Sequence, residues 1–173
     1  MTRFLVTGAS GLLGLNFALQ VSEQHEVYGV VNHHVLDGVP FTVLQADLAQ
    51  PGEVERLLEA SRPEVVLHCA AMANVDACET QPELAYRLNA ELPGELAAAT
   101  ARRGLRLVHV STDAVFDGTK GDYSEDDLPN PLSQYARTKW QGEQAVQAAN
   151  PQAWIARVNF YGWSLGGGRS LAE

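Results

Sequence analysis

The sequence predicts an open α/β fold, a doubly wound parallel sheet with helices on both faces. Two observations carry this. Short apolar, β-branched runs alternate along the chain with longer segments whose apolar residues recur at helical spacing. A glycine-rich turn, Thr7-Gly8-Ala9-Ser10-Gly11-Leu12-Leu13-Gly14, joins the first run to the first helical segment. Parallel strands need a crossover to return the chain, and segments of these lengths suit helical crossovers.

In order, the candidate strands are 3–6, 26–31, 41–45, 64–68, 105–110 and 153–158, and the candidate helices are 12–23, 51–60, 82–103 and 133–149. In the first helix Leu12, Leu15 and Leu19 form an apolar stripe. The 82–103 segment carries Pro93 and Gly94 inside its pattern, which predicts a kink or break. Residues 117–134 read as a long loop, with two glycines and two prolines among acids. His109 alternates with core residues in the fifth strand and reads as a packed, satisfied histidine, and His68 and Cys69 at the end of the fourth read as packed. Trp140, Trp154 and Trp163 sit in or beside apolar runs and read as core.

A length of 173 residues suits one large domain, and 46% hydrophobic with 19% charged residues is ordinary for a globular chain. The net charge of −9 argues against nucleic acid or an anionic membrane surface as the main partner. It leaves an anionic small ligand open, because a pocket's field is local. Cys69 and Cys78 lack the flanking ligands of a zinc site and read as reduced thiols. The adjacent His33 and His34 would point to opposite faces of a strand, so no metal is expected. A strand from position 3 leaves no room for a cleavable leader, and no apolar run reaches the length of about 18 residues that a span needs. The expectation is a cytoplasmic protein.

The glycines fall where a strand turns into a helix. There one glycine permits the turn, one lets backbone approach a pyrophosphate, and one lets the helix pack closely. The helix N-terminus offers free N–H groups to the phosphates. A glycine turn without a ligand is the alternative. Farther on, Tyr135 and Lys139 are four residues apart, hence on one face of a helix. Such a pair is common on an ordinary amphipathic helix, with an exposed lysine and a packed tyrosine; a nearby lysine charge would also lower the tyrosine's pKa from about 10 towards a range useful for proton transfer.

The spacing TGxxGxxG resembles the extended short-chain dehydrogenase/reductases. Five further segments support the likeness: His68-Cys69-Ala70-Ala71-Met72-Ala73-Asn74-Val75-Asp76, Leu88-Asn89-Ala90, the run from Val110 to Gly118 (VSTDAVFDG), the loop from Tyr123 to Pro131 (YSEDDLPNP), and Tyr135-Ala136-Arg137-Thr138-Lys139. Together they are similar to the dTDP-4-dehydrorhamnose reductase family, over residues 2 to about 162. The resemblance implies a Rossmann fold in which Gly8, Ser10, Gly11, Leu12 and Leu13 hold a nicotinamide dinucleotide and Ala70, Ala71, Met72 and Asn89 pass close to it. It implies that Thr112, Tyr135 and Lys139 are catalytic, with Tyr135 and Lys139 also touching the cofactor. Asn74, Val75, Asn159 and Tyr161 would then meet a nucleotide-sugar substrate.

At the end of the second strand an NAD-preferring fold carries an acid, and here stand Asn32, His33 and His34. No Arg or Lys replaces the acid, and Asn32, His33 and His34 could hydrogen-bond the cofactor's ribose in either form, so NADP or NAD remains open, with loss of the repelling carboxylate favouring NADP. Asp47 and Leu48 match the family's adenine-contacting pair, although Asp47 could equally cap a helix, and Thr112 could cap the loop after its strand. The expected layout is a dinucleotide-binding domain over 1–162 and a linker over 163–173 into a smaller substrate lobe that the chain lacks. The implied activity is NAD(P)H-dependent reduction of the 4-keto group of a deoxysugar nucleotide, compatible with a homodimer. Two alternatives stand beside it: an epimerase or dehydratase of the same superfamily, and a non-catalytic dinucleotide-binding regulatory subunit, as in methionine adenosyltransferase. The intact Thr112, Tyr135 and Lys139 favour the reductase.

Overall fold

A computed structural model describes residues 1–161. Among these residues six strands form: β1 (Arg3–Thr7), β2 (Glu26–Val31), β3 (Thr42–Gln45), β4 (Val65–His68), β5 (Arg106–Thr112) and β6 (Trp154–Val158). They pair in the order β3-β2-β1-β4-β5-β6, every pair parallel. The winding reverses between β1 and β4, and at such a switch point the strands' C-terminal ends open a crevice. Among the described residues six α-helices accompany the sheet: α1 (Leu12–Val21), α2 (Glu53–Ser61), α3 (Val75–Thr80), α4 (Pro82–Tyr86), α5 (Leu92–Arg103) and α6 (Gln134–Ala149).

Alternation along each strand builds two cores. Leu5, Val30, Val66 and Leu107 face α2, α5 and α6 and pack with Leu57, Leu92, Leu96 and Val146. Val6, Val27 and Leu67 face the other way, onto Ala18 and Phe17 of α1. The sheet is doubly wound, as expected. On the α1 side, nothing among the described residues covers the outer end of the sheet. Trp154 is 74% exposed there, which corrects its reading as a core residue. It heads an edge strand on the face away from α6. Trp140 is half-buried, and Trp163 and the linker expected at 163–173 lie outside the described residues.

The irregularity expected at Pro93 falls earlier. A π-helical turn, Arg87–Glu91, joins α4 to α5. Pro93 has no N–H for the carbonyl four residues back, that of Asn89, and the ladder slips by one residue before it. The exposed carbonyl is then approached by α6: a Cβ on Gly142 would overlap Asn89 O, and one on Gly94 would lie 3.0 Å from Ala145 Cβ. Two glycines thus let α5 and α6 cross closely. α3 was not anticipated, yet its cap is legible, since Asn74 Oδ1 accepts from Ala77 N at 2.8 Å.

Candidate active site

At the head of the crevice, Gly8 has φ +69° and a Cβ there would lie 2.8 Å from Ala70 N. L side chains rarely adopt this conformation, and backbone from β4 fills the space. A Cβ on Gly14 would strike the Gly8 carbonyl, so the third glycine lets the helix fold back on its own turn. Gly11 is exposed at the N-cap of α1, where no side chain caps the first turn. Two contacts hold the turn in place. Ala9 N donates to Val30 O at 3.0 Å, and Ala70 N donates to Thr7 Oγ1 at 3.2 Å. Ser10, Leu12 and Leu13 are half-buried beside Gly11.

Asn32, His33 and His34 are exposed beyond the end of β2. Asp47 accepts from Ala49 N at 3.1 Å and Gln50 Nε2 at 3.0 Å, and the Gln50 amide, then the Ala49 N–H, hold its carboxyl below the ordinary range. It shapes the loop into α2, whose N-cap is Gly52. Leu48 is packed in the main core.

Asn89 is 1% exposed, and its amide is fully engaged. Oδ1 accepts from Met72 N at 2.8 Å, while Nδ2 donates to Met72 O at 3.0 Å and Thr138 Oγ1 at 3.1 Å. This corrects its expected contact with a cofactor: the side chain has no open surface. Asn89 locks the loop after β4 to the π-turn and α6, leaving Ala70 and Met72 half-buried and Ala71 exposed along that loop. Asn74 spends its carbonyl on capping α3, and Val75 is 46% exposed beside it.

β5 runs two residues beyond the expected end, so Ser111 and Thr112 belong to the strand. Thr112 Oγ1 accepts from Ala114 N at 3.1 Å, capping a 3₁₀ turn, Asp113–Val115. Tyr135 lies in the first turn of α6, which Ser133 caps through Ala136 N at 3.2 Å. Burial pushes the Tyr135 phenol upward, the neighbouring Thr112 hydroxyl pulls it down, and Cys78 and Asp113 push it up again. The expected lowering by Lys139 is therefore corrected. Lys139 turns its ammonium to Val110 O at 2.7 Å, and burial brings its pKa down to about 8.

Sequence reasoning passed over several residues here. Ser111 donates to Glu143 Oε1 at 2.5 Å, and Arg157 holds Glu143 with Nε at 3.1 Å and Nη2 at 2.8 Å. The missed signal was a glutamate four residues after Lys139. A cleft of about 510 Å³, lined by Asp113, Phe116, Tyr123, Glu125 and Arg157 among others, opens beside the end of β5. Asn159 and Tyr161 are exposed just past the end of β6. Beneath the site His68 and His109 stack with centroids 5.4 Å apart. Both are packed, as expected, but His109 is not satisfied as read, since neither of its ring nitrogens has a partner among the described residues. Burial pushes His68 down to about 3 and His109 well below its ordinary value. The glycine turn fits the pyrophosphate of a dinucleotide, because its backbone lies open at Gly11 while Gly8 and Gly14 have no room for a side chain.

The family described as "RmlD substrate binding domain" matches residues 2–168. The chain belongs to that family. Within reach of the RmlD-type sequences, it is 42% identical over 157 residues to the probable low-salt glycan biosynthesis reductase Agl14 of Haloferax volcanii, covering 90% of this chain and 52% of the relative. It is 39% identical over 171 residues to the dTDP-4-dehydrorhamnose reductase of Mycobacterium tuberculosis, covering 96% and 51%. Methionine adenosyltransferase 2 subunit beta of Rattus norvegicus is 38% identical over 156 residues, covering 90% and 46%. Among solved structures, a hypothetical dTDP-4-dehydrorhamnose reductase from Sulfolobus tokodaii superposes with TM-score 0.84 at 38% identity, over 94% of this chain and 58% of that one. The Bacillus anthracis dTDP-4-dehydrorhamnose reductase in complex with NADP gives 0.79 at 30%, over 95% and 57%. The chain spans about half the length of the curated relatives it matches.

Proposed function

We propose that this chain is the cofactor-binding and catalytic portion of a cytoplasmic reductase acting on the 4-keto group of a deoxysugar nucleotide. One observation carries the reading: the end of β5, where Thr112 stands, is joined to the start of α6, where Tyr135 and Lys139 lie one turn apart, by Lys139 Nζ donating to Val110 O at 2.7 Å. A nicotinamide dinucleotide, when bound, supplies the hydride. Gly8, Ser10, Gly11, Leu12 and Leu13 would hold its pyrophosphate, and Ala70, Ala71 and Met72 would lie along it. The Tyr135 hydroxyl gives its proton to the carbonyl oxygen, Thr112 hydrogen-bonds that oxygen, and Lys139 offers a positive charge to the phenolate left behind. The 510 Å³ cleft at the end of β5 would take part of the sugar nucleotide, and Asn159 and Tyr161, exposed past the end of β6, would meet it.

The Bacillus anthracis relative with NADP supports a nicotinamide cofactor, and the missing acid after β2 favours NADP over NAD. Titration with NADPH and with NADH, followed by nicotinamide fluorescence, tests this. Micromolar binding with NADPH the tighter supports it, and binding of neither refutes the pyrophosphate role of the turn. The likeness to a methionine adenosyltransferase subunit favours one other reading, a non-catalytic dinucleotide-binding partner. Cofactor binding without turnover of any dTDP-4-keto sugar would favour that reading.

A further inference from the structure

Glu143 follows Lys139 by four residues on α6, so both lie on one face of the helix. It is 3% exposed, and a carboxylate so far from water persists only with partners. Ser111 Oγ donates to Oε1 at 2.5 Å, Arg157 Nε donates to both oxygens at 3.1 Å, and Arg157 Nη2 donates to Oε2 at 2.8 Å. The guanidinium is itself held over two rings, 5.1 Å from the Phe116 centroid and 5.5 Å from that of Trp140. One turn back, Lys139 Nζ donates to Val110 O at 2.7 Å. Val110, Ser111 and Thr112 are consecutive. Helix α6 is therefore bolted to β5 through the two residues that precede the proposed catalytic threonine, and to β6 through Arg157.

We propose that Glu143 is a positioning residue for the Tyr135–Lys139 pair, holding the end of β5 against α6 and keeping the buried Lys139 ammonium protonated. Its purpose rests on the reductase reading above. The groups facing Lys139 narrow the source of that charge. His68 and Cys69 approach from β4, His109 from β5, Tyr135 and Glu143 from α6, and Arg157 stands behind Glu143 from β6. Burial keeps both histidines neutral, and it pushes the Cys69 thiol up to about 12, so neither adds charge near pH 8. The Tyr135 phenol is also raised and uncharged. Desolvation lowers Lys139 to about 8, and Glu143 leads the effects that oppose it.

Lys120 and Lys139 are the lysines of the chain, so [13C]lysine labelling yields a buried reporter and an exposed control. The Lys139 Cε shift should titrate at about 8 in the unaltered protein. Glu143→Gln keeps the shape and the acceptor for Ser111 but removes the charge, and should lower the midpoint by about one unit or more, leaving Lys120 unmoved. Arg157→Met leaves Glu143 uncompensated and should raise it. Opposite shifts separate charge from packing, since a loosened fold would expose Lys139 and raise both midpoints. Unchanged midpoints, or a rise in both variants, overturn the proposal. Should Glu143→Gln not fold, Arg157→Met decides alone: a rise with the amide spectrum of α6 and β5 intact supports it, and no rise overturns it. No cofactor or turnover enters this titration. Failure to bind NADPH or NADH would tell against the reductase reading and leave the lysine result standing.

Discussion

Tyr135 shows how little of a residue's chemistry its sequence spacing decides. The four-residue interval put Tyr135 and Lys139 on one face of α6, and that held. Spacing could not show that Lys139 would turn to Val110 O, or that burial would raise the phenol rather than let the lysine lower it. Tyr135→Phe should abolish turnover of a dTDP-4-keto sugar while leaving NADPH affinity within about tenfold, because only the proton donor is lost. Wild-type turnover in steady-state assays would remove Tyr135 from the role of acid. His68 and His109 carry a second prediction at this scale. In the unfolded chain a histidine takes its proton near pH 6.5, whereas buried His68 does so only at about 3, and His109 is lowered too. Between those values the unfolded state holds more protons, so stability falls as pH drops from about 6.5 towards about 3. Urea midpoints measured across that window should decline, and His109→Phe should flatten the decline.

Among the elements, α5 and α6 depend on a contact invisible from their separate sequences. Gly142 reads as an ordinary helix position with a poor helix former, until the π-turn presents the Asn89 carbonyl to it. Gly142→Ala improves helix propensity yet should destabilise the protein by about 1–3 kcal/mol, because the methyl meets backbone that cannot yield. Urea unfolding measures this, and a gain in stability would show that the helices can separate. Asn89→Ala should loosen the loop after β4, since the Met72 N–H and C=O lose their partners. Hydrogen exchange at the Met72 amide should speed up by at least about tenfold, with α1 unaffected.

At the scale of the whole molecule, the six parallel strands bring the glycine turn of β1, the loop after β4 and the end of β5 to one edge of the sheet. Residues about 40 to 60 apart in sequence become neighbours, as Phe4 with Val65 and Val65 with Arg106, because β4 lies between β1 and β5 at the switch point. The expected binding of NADPH, tighter than NADH, belongs to this scale, since it needs the turn, the end of β2 and α6 at once. Fluorescence titration of the whole chain checks it. Gly8→Ala should weaken binding of both dinucleotides by about tenfold or more, because it strains the turn where φ is positive and crowds Ala70.

Strand and helix alternation, the glycine turn and the Tyr135–Lys139 interval are local patterns, and each was legible because a single element's geometry sets it. The end of β5 and the open position of Trp154 were not read correctly, since each depends on what lies across the fold. Asn89 is the clearest case. Its motif placed it beside a ligand, but tertiary packing turned its amide wholly onto Met72 and Thr138. Glu143 passed unnoticed as one helical acid among several, and only the meeting of α6 with β5 and β6 gave it Ser111 and Arg157 as partners. Periodicity and steric need at glycine act along the chain, whereas burial and charge pairing act between segments that the chain keeps far apart.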